Sequence, residues 1–364
     1  MCLIAFAIGQ RADCPLLLAA NRDEFWQRPT LPLAVWALEQ GQTVYAGRDL
    51  LAGGTWLGFS AAGRVAMLTN VRDGQPERAA RSRGELVTRW LAGPAAVPDV
   101  SALLQQTDPS AYNGFNLVLG DCRSGHWHWL SNRAHRAQRE GPSAAESESP
   151  QKPAGMGHTG ADGAVARLLP LALPPGWCGA VLPPGIYGLS NAALDSPWPK
   201  LLRLKAAIAA ALPDPTIGLP LPAPATGFGG GHEGPATQGA AQGWQDVLLQ
   251  ALLDRRPAPE EQLPATGVPL AHERLLSSPF VEMPQHGYGT RSSLIGRWLR
   301  PTAASSQLEL QEWTHQPPPH PFSPSGAARA AGQFGMGPAP HLGQTSHSGY
   351  SRLCISMWGM PTSS

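Results

Sequence analysis

The sequence predicts an α+β fold with a largely antiparallel sheet. Apolar runs of strand length come in neighbouring pairs, separated by Gly, Asp and Pro. Segments of helical periodicity are interleaved with them, and few strand–helix–strand units of the kind that build parallel sheets occur.

The pairs follow in order. Cys2–Ile8 and Leu16–Ala20 flank Gly9, Asp13 and Pro15 and predict a hairpin of buried strands. Gly53–Phe59 and Arg64–Asn70 predict a second hairpin that turns at Ala61–Gly63. A helix should run to Leu91, with Ser82 as N-cap and Glu85 three residues on as its capping-box partner. Val100–Gln106 predicts a short helix, Phe115–Gly120 with His126–Leu130 a third strand pair, and Tyr187–Leu189 a further strand. Pro199–Leu212 and Gln242–Leu253 carry apolar residues at helical spacing, and Arg291–Leu299 with Leu308–Thr314 close the core as strands.

Composition bounds the domain count. The 364 residues include 41 Gly and 38 Pro, and these cluster. Residues 134–165 and 213–242 have too little apolar content to offset the entropy of ordering, so they read as insertions, and 315–364 as a disordered tail. What remains, 1–314, is one domain. Charge is balanced at 27 basic and 26 acidic residues with no basic stripe, which argues against a nucleic-acid surface. The apolar run Leu3–Ile8 is too short for a membrane span and no Lys or Arg precedes it, so neither a transmembrane segment nor a leader is expected. The odd cysteine count (Cys2, Cys14, Cys122, Cys178, Cys354) shows no CxxC spacing, which fits a reducing, cytoplasmic location, with mitochondrial or Golgi association as the alternatives in a eukaryote.

The candidate chemistry starts at position 2. An initiator Met is removed when the next residue is small, as Cys is. Cys2 would then carry a free α-amine, pKa about 7.7–8.0, beside a thiol of about 8.5. Base and nucleophile would share one residue, the thiol counterpart of an N-terminal threonine. Other polar residues lie at strand ends: Arg22 and Asp23 after Ala20, Asn70 after Leu68, Asn191 after Leu189, and Arg291 before a closing strand. An Asn amide can donate to an oxyanion, an Asp can orient an ammonium, and an Arg can hold a carboxylate at two points. Jointly they describe an amide-bond hydrolase. His126 and His128 share a strand face but find no third ligand at useful spacing, so no metal is expected; Gly229–Gly231 lacks the Lys-Ser/Thr of a phosphate loop. The scattered Trp residues read as packing, some of them as walls of an apolar pocket.

The stretches Ala20-Asn21-Arg22-Asp23-Glu24, Gly53-Gly54-Thr55-Trp56-Leu57-Gly58, Thr69-Asn70, Arg83-Gly84-Glu85, Tyr112-Asn113-Gly114-Phe115-Asn116, Tyr187-Gly188-Leu189-Ser190-Asn191, Asp195-Ser196-Pro197-Trp198-Pro199-Lys200 and Tyr288-Gly289-Thr290-Arg291 resemble the NRDE family, the transport-and-Golgi-organisation family. The resemblance implies a four-layer αββα N-terminal-nucleophile hydrolase fold with mostly antiparallel sheets. It implies Cys2 as nucleophile and base, Asp23 beside the amine, Asn70 and Asn191 near the oxyanion, and Arg291 supporting the site, with Asn21, Arg22 and Glu24 as motif residues. The expected reaction is cleavage of a non-peptide C–N bond in a small amide or acyl substrate without a cofactor. The competing expectation is a non-catalytic protein that binds haem or an acyl lipid, in keeping with the family's links to Golgi organisation, mitochondrial lipid metabolism and haem trafficking.

Overall fold

A computed structural model describes residues 2–72, 79–93, 100–133, 168–219, 243–302, 305–316 and 350–358. In chain order the elements are β1 (Cys2–Ile8), β2 (Leu16–Phe25), β3 (Thr30–Ala37), β4 (Thr43–Asp49), β5 (Leu57–Ser60), β6 (Arg64–Asn70), α1 (Gly84–Leu91), α2 (Val100–Gln105), β7 (Phe115–Asp121), β8 (Trp127–Ser131), β9 (Leu169–Pro170), β10 (Cys178–Val181), β11 (Gly185–Leu189), α3 (Pro199–Ala211), α4 (Trp244–Leu252), α5 (Leu270–Leu275), β12 (Glu282–Met283), β13 (Tyr288–Thr302), β14 (Ser305–Thr314) and β15 (Tyr350–Trp358).

The strands form two sheets. One runs β11-β1-β2-β13-β14-β15 with β12 beside β13, and the other β3-β4-β5-β6-β7-β8-β10-β9. Every described pairing is antiparallel.

Period-two alternation explains why β1 and β2 read as unbroken apolar runs: both faces are covered. Ile4, Phe6 and Ile8 of β1, with Leu16, Leu18 and Ala20 of β2, pack against Phe59, Val65, Met67 and Trp129 of the other sheet. Leu3, Ala5, Ala7, Leu17 and Ala19 point the opposite way, onto Leu201, Leu204 and Ile208 of α3 and Leu248 and Leu252 of α4. On the second sheet, Ala66, Leu68, Leu117 and Leu119 meet Leu86 and Leu91 of α1 and Leu103 and Leu104 of α2. A one-residue slip of β1 would drive its Cys2 face into the helices, so register is firmly set. No helix among the described residues is long and apolar enough to cross a membrane.

The structure departs from the sequence reading in several places. β3, β4, β10 and α5 were not anticipated; β3 is a partly exposed edge strand interrupted by Pro32, and α5 is only six residues long. The capping box at Ser82 does not form. Arg83 occupies the N-cap without a side-chain bond, and Glu85 instead accepts from Tyr112 and pairs with Arg81 at 2.9 Å. Within the expected disordered tail, Tyr350–Trp358 forms β15 against β14. Within the expected second insertion, residues 215–218 make a 3-10 turn with Ile217 fully buried. Residues 134–165, 220–242 and 317–349 lie outside the described residues.

Candidate active site

Cys2 opens β1 and is 8 % exposed. A row of partners crosses the sheet at its level: Cys2 pairs with Arg22, Arg22 with Ser292, and Ser292 with Thr314. Cross-strand partners share a face. All four line one cavity of about 1640 Å³, whose far wall comes from the second sheet through Gly54–Trp56, Leu68 and Asn70 and from the start of α1 through Arg83 and Gly84.

That far wall depends on two glycines. A Cβ on Gly54 would lie 2.6 Å from the backbone carbon of Gly84, and one on Gly84 3.1 Å from the carbonyl oxygen of Thr55. The two motifs that contain them are therefore fixed by the close approach of a loop to the first turn of α1.

The Asn21–Glu24 run was expected to follow a strand. It lies within β2, and alternation sorts it. Arg22 and Glu24 face the cavity, with their charged groups 3.7 Å apart. Asn21 faces the helices. Its amide donates to the carbonyls of Leu252 (2.8 Å) and Pro279 (2.9 Å), and Ser293 donates to its oxygen at 2.7 Å, so it ties α4 and the following loop to the sheet. Asp23, 1 % exposed, also turns to that side while touching the cavity edge. Thr290 donates to it at 2.7 Å. Burial raises its pKa, opposed first by Lys200 and then by the N-terminal ammonium.

Arg291 was expected to open a strand. It is instead the extra residue of a bulge in β13, because Thr290 pairs with Asp23 and Ser292 with Arg22. Bulges re-aim side chains. This one swings Arg291 over the 25–30 turn, where it donates to the carbonyls of Phe25 (2.9 Å) and Arg28 (3.0 Å) and shapes the cavity mouth.

Asn191 does not line the cavity. It is fully buried, and its amide nitrogen donates to both the carbonyl and the side-chain oxygen of Asn70, each at 3.0 Å. Of the two asparagines, the structure brings Asn70 to the cavity wall and sets Asn191 behind it, bonded to the Asn70 side-chain oxygen. The loop that carries Asn191 is fixed by Asn116, which donates to the Ala192 carbonyl at 2.6 Å, and by Asp195, which takes a left-handed conformation and accepts from the Gly188 amide at 2.8 Å.

Burial raises the Cys2 thiol pKa above its ordinary value, with the N-terminal ammonium and Arg22 opposing. Cys14 is pushed up to about 12 by burial, and Cys122 well above its ordinary value. Among the described residues no three His, Cys, Asp or Glu side chains cluster as a metal site would require. The cavity wall also carries Trp26, Trp56, Leu31 and Met283, so apolar surface stands beside charged groups of both signs.

The sequence reading did not single out Lys200 or Arg72. Lys200 has its signal in the buried stripe of α3, standing four residues before Leu204 and eight before Ile208, where a solvated lysine would not fall.

The class is thus a protein of two packed antiparallel sheets, with a cavity that a cysteine lines at the head of a strand. The chain belongs to the Transport and Golgi organisation 2 family, whose model matches residues 1–296. It is 33 % identical over 212 residues to the bovine Transport and Golgi organization protein 2 homolog, a match that spans 55 % of this chain and 60 % of that relative. The human homolog is 32 % identical over 209 residues at the same coverage, and the Drosophila melanogaster protein 34 % over 129 residues, 32 % of this chain and 45 % of that one. A crystal structure of a mutant conjugated bile acid hydrolase from Clostridium perfringens aligns with 36 % of this chain and 47 % of its own at 10 % identity and a TM-score of 0.26, a likeness that fixes neither fold nor chemistry.

Proposed function

We propose that the protein is a cysteine amidase or acylase of the N-terminal-nucleophile class, built on an αββα arrangement of the two sheets and their covering helices. It would act on a non-peptide C–N bond in a small substrate. The observation that carries this reading is the meeting of Cys2, the Arg22-Asp23 pair and Asn70, from three separate strands, at one cavity.

Removal of Met1 would give Cys2 a free amine. Its sulfur attacks the substrate carbonyl carbon while the amine takes the thiol proton. The carbonyl oxygen becomes an oxyanion, to which the Asn70 NH2 donates. Collapse breaks the C–N bond, and the leaving nitrogen takes the proton back. Water then enters by the same base and releases the acyl group as a carboxylic acid. The guanidinium groups of Arg22 and Arg291 favour an anionic substrate, and the tryptophans an apolar portion.

Intact mass and thiol labelling test the reading. Met1 should be absent, a small chloroacetamide should label Cys2 well ahead of Cys14 and Cys122, and Cys2→Ala should abolish both that label and turnover of an amide panel. A retained Met1 would remove the base and leave the cavity as a binding site for haem or an acyl lipid.

A further inference from the structure

Behind Cys2, on the helix side of the sheet, lies a cation that the proposed mechanism does not use. Lys200 is the second residue of α3 and is 2 % exposed. Its Nζ has no hydrogen-bond partner among the described residues. This is an unfavourable place for a positive charge on three counts. It is desolvated without a hydrogen bond. It belongs to the first turn of a helix, whose dipole is positive there and whose side chains lean back toward that end. A second cation, Arg72, acts on it as well.

The charged and titratable groups that face it come from every neighbouring element. Asp23 of β2 is the strongest, followed by Arg72 after β6, Cys2 of β1 and Glu273 of α5. Lys200 is in turn the foremost charge acting on Asp23, and Tyr288 of β13 faces the same carboxylate. Burial holds Lys200 down to about 8.

Two of these charges cancel. Arg72 and Glu273 form a buried ion pair, with Arg72 stacked 5.2 Å over the Trp198 ring. Asp23 and Lys200 are the other two, and each is the foremost charge acting on the other. Asp23 follows Arg22, the ladder partner of Cys2, so it lies just beyond the first residue of β1, and the N-terminal ammonium acts on its carboxylate. That is where the amine of a chain starting at Cys2 would sit. An ammonium there would be a second cation drawing on a single buried carboxylate, and like charges in such a site cannot both stay ionised.

We propose that Lys200 is a positioning residue that shares the Asp23 carboxylate with the Cys2 amine and thereby holds that amine neutral, ready to accept the thiol proton. The inference rests on the N-terminal-nucleophile reading, since it requires a free amine on Cys2. In the step it serves, the S–H proton passes to the amine lone pair as the S–C bond forms and the carbonyl π pair moves to oxygen. Lys200 itself neither gains nor loses a proton. A neutral thiol–amine pair is also what a desolvated pocket favours over a thiolate–ammonium pair.

Formaldehyde tests this directly. It closes a thiazolidine on an N-terminal cysteine only when the neutral amine attacks it, and intact mass reads the product. The rate is followed against pH in the full chain for the wild type, Lys200→Met and Lys200→Arg. The wild-type midpoint should lie about one pH unit below the ordinary α-amine range of about 7.7–8.0. Lys200→Met should move it up by about one unit, a tenfold loss of rate on the acid side, and Lys200→Arg should leave it in place. Identical midpoints for the wild type and Lys200→Met would overturn the proposal. So would a wild-type midpoint at or above the ordinary range, which decides the matter even if Lys200→Met fails to fold. A chain that keeps Met1, or never forms the ring, would instead sink the underlying hydrolase reading.

Discussion

Two buried charge clusters sit on the helix side of the same sheet, and they are built on opposite plans. Arg297 of β13 stands directly opposite Glu309 of β14. Its Nε and Nη2 donate to one Glu309 oxygen at 2.9 and 2.7 Å, and its remaining donors reach the carbonyls of Ile217 (2.5 Å) and Leu219 (2.6 Å). Its plane stacks 4.6 Å from the Trp244 ring, and Gln307 donates to the other Glu309 oxygen at 3.0 Å. Nearly every polar position there is satisfied. At the head of β1, Lys200 is as deeply buried and has no such partner. A saturated cluster has one arrangement and serves to hold α4 and the 216–219 turn to the sheet. An unsaturated one keeps its charges poised, so that adding a proton nearby rearranges their balance. The first plan is structural, and the second is the one the proposed reading requires beside Cys2.

The comparison makes its largest claim about Glu309. Replacing it with Ala strands a buried guanidinium, and losing one member of a buried pair costs about 3–5 kcal/mol. Urea unfolding of Glu309→Ala should show a loss of that size. A loss under about 1 kcal/mol, the worth of an exposed pair, would mean that the cluster is not saturated in the way described.

Lys200→Met should move stability in the other direction. Lys200 is held at about 8 in the folded protein against an ordinary 10.5. Below about 8 it is charged in both folded and unfolded chains, and the folded state carries the full cost of that buried charge. Between about 8 and 10.5 the unfolded chain keeps the proton and the folded chain has lost it, so wild-type stability from this group rises with pH. Methionine fills the same volume without the charge. Thermal unfolding near neutral pH should therefore find Lys200→Met more stable by about 1–3 kcal/mol, with the advantage shrinking as pH climbs past about 8. A destabilised variant with a flat pH response would place Lys200 in the structural category beside Arg297.

This contrast was only half legible in the sequence. The strand pairs that build the site were, because β1, β2, β6 and β13 carry apolar residues on both faces and are bounded by turn residues. Of the residues named on strand-end position and motif together, Cys2, Asp23, Asn70 and Arg291 line one cavity and Asn191 does not. What escaped depended on tertiary detail. The bulge that ejects Arg291 is a register shift between β2 and β13, set by pairing partners nearly 270 residues apart in the chain and absent from local pattern. That Asn70 lines the cavity while Asn191 lies behind it depends on a hydrogen bond between residues 121 apart in the chain, which no local pattern shows. Lys200 lay in a quoted motif and on the buried stripe of α3, yet a lysine near a helix start reads as solvated until its neighbours are known. β3 was missed because an exposed edge strand containing Pro32 has little alternation to detect.

The smallest effect tests whether saturation is the right word for the Arg297–Glu309 cluster. Gln307 supplies the donor to the Glu309 oxygen that Arg297 does not touch. Gln307→Ala removes that donor from a partly buried carboxylate, and a net loss of about 1 kcal/mol is expected for a single hydrogen bond of this kind. The loss should depend on the carboxylate. Residues that share a network are non-additive. In a Glu309→Ala background the donor has no acceptor left there, so the same Gln307→Ala change should cost only about 0.3 kcal/mol. Denaturation of the two single variants and the double variant gives the coupling directly. If the full loss persists without Glu309, Gln307 acts through its other contacts, the second carboxylate oxygen is not held as described, and the two clusters differ less than their geometry implies.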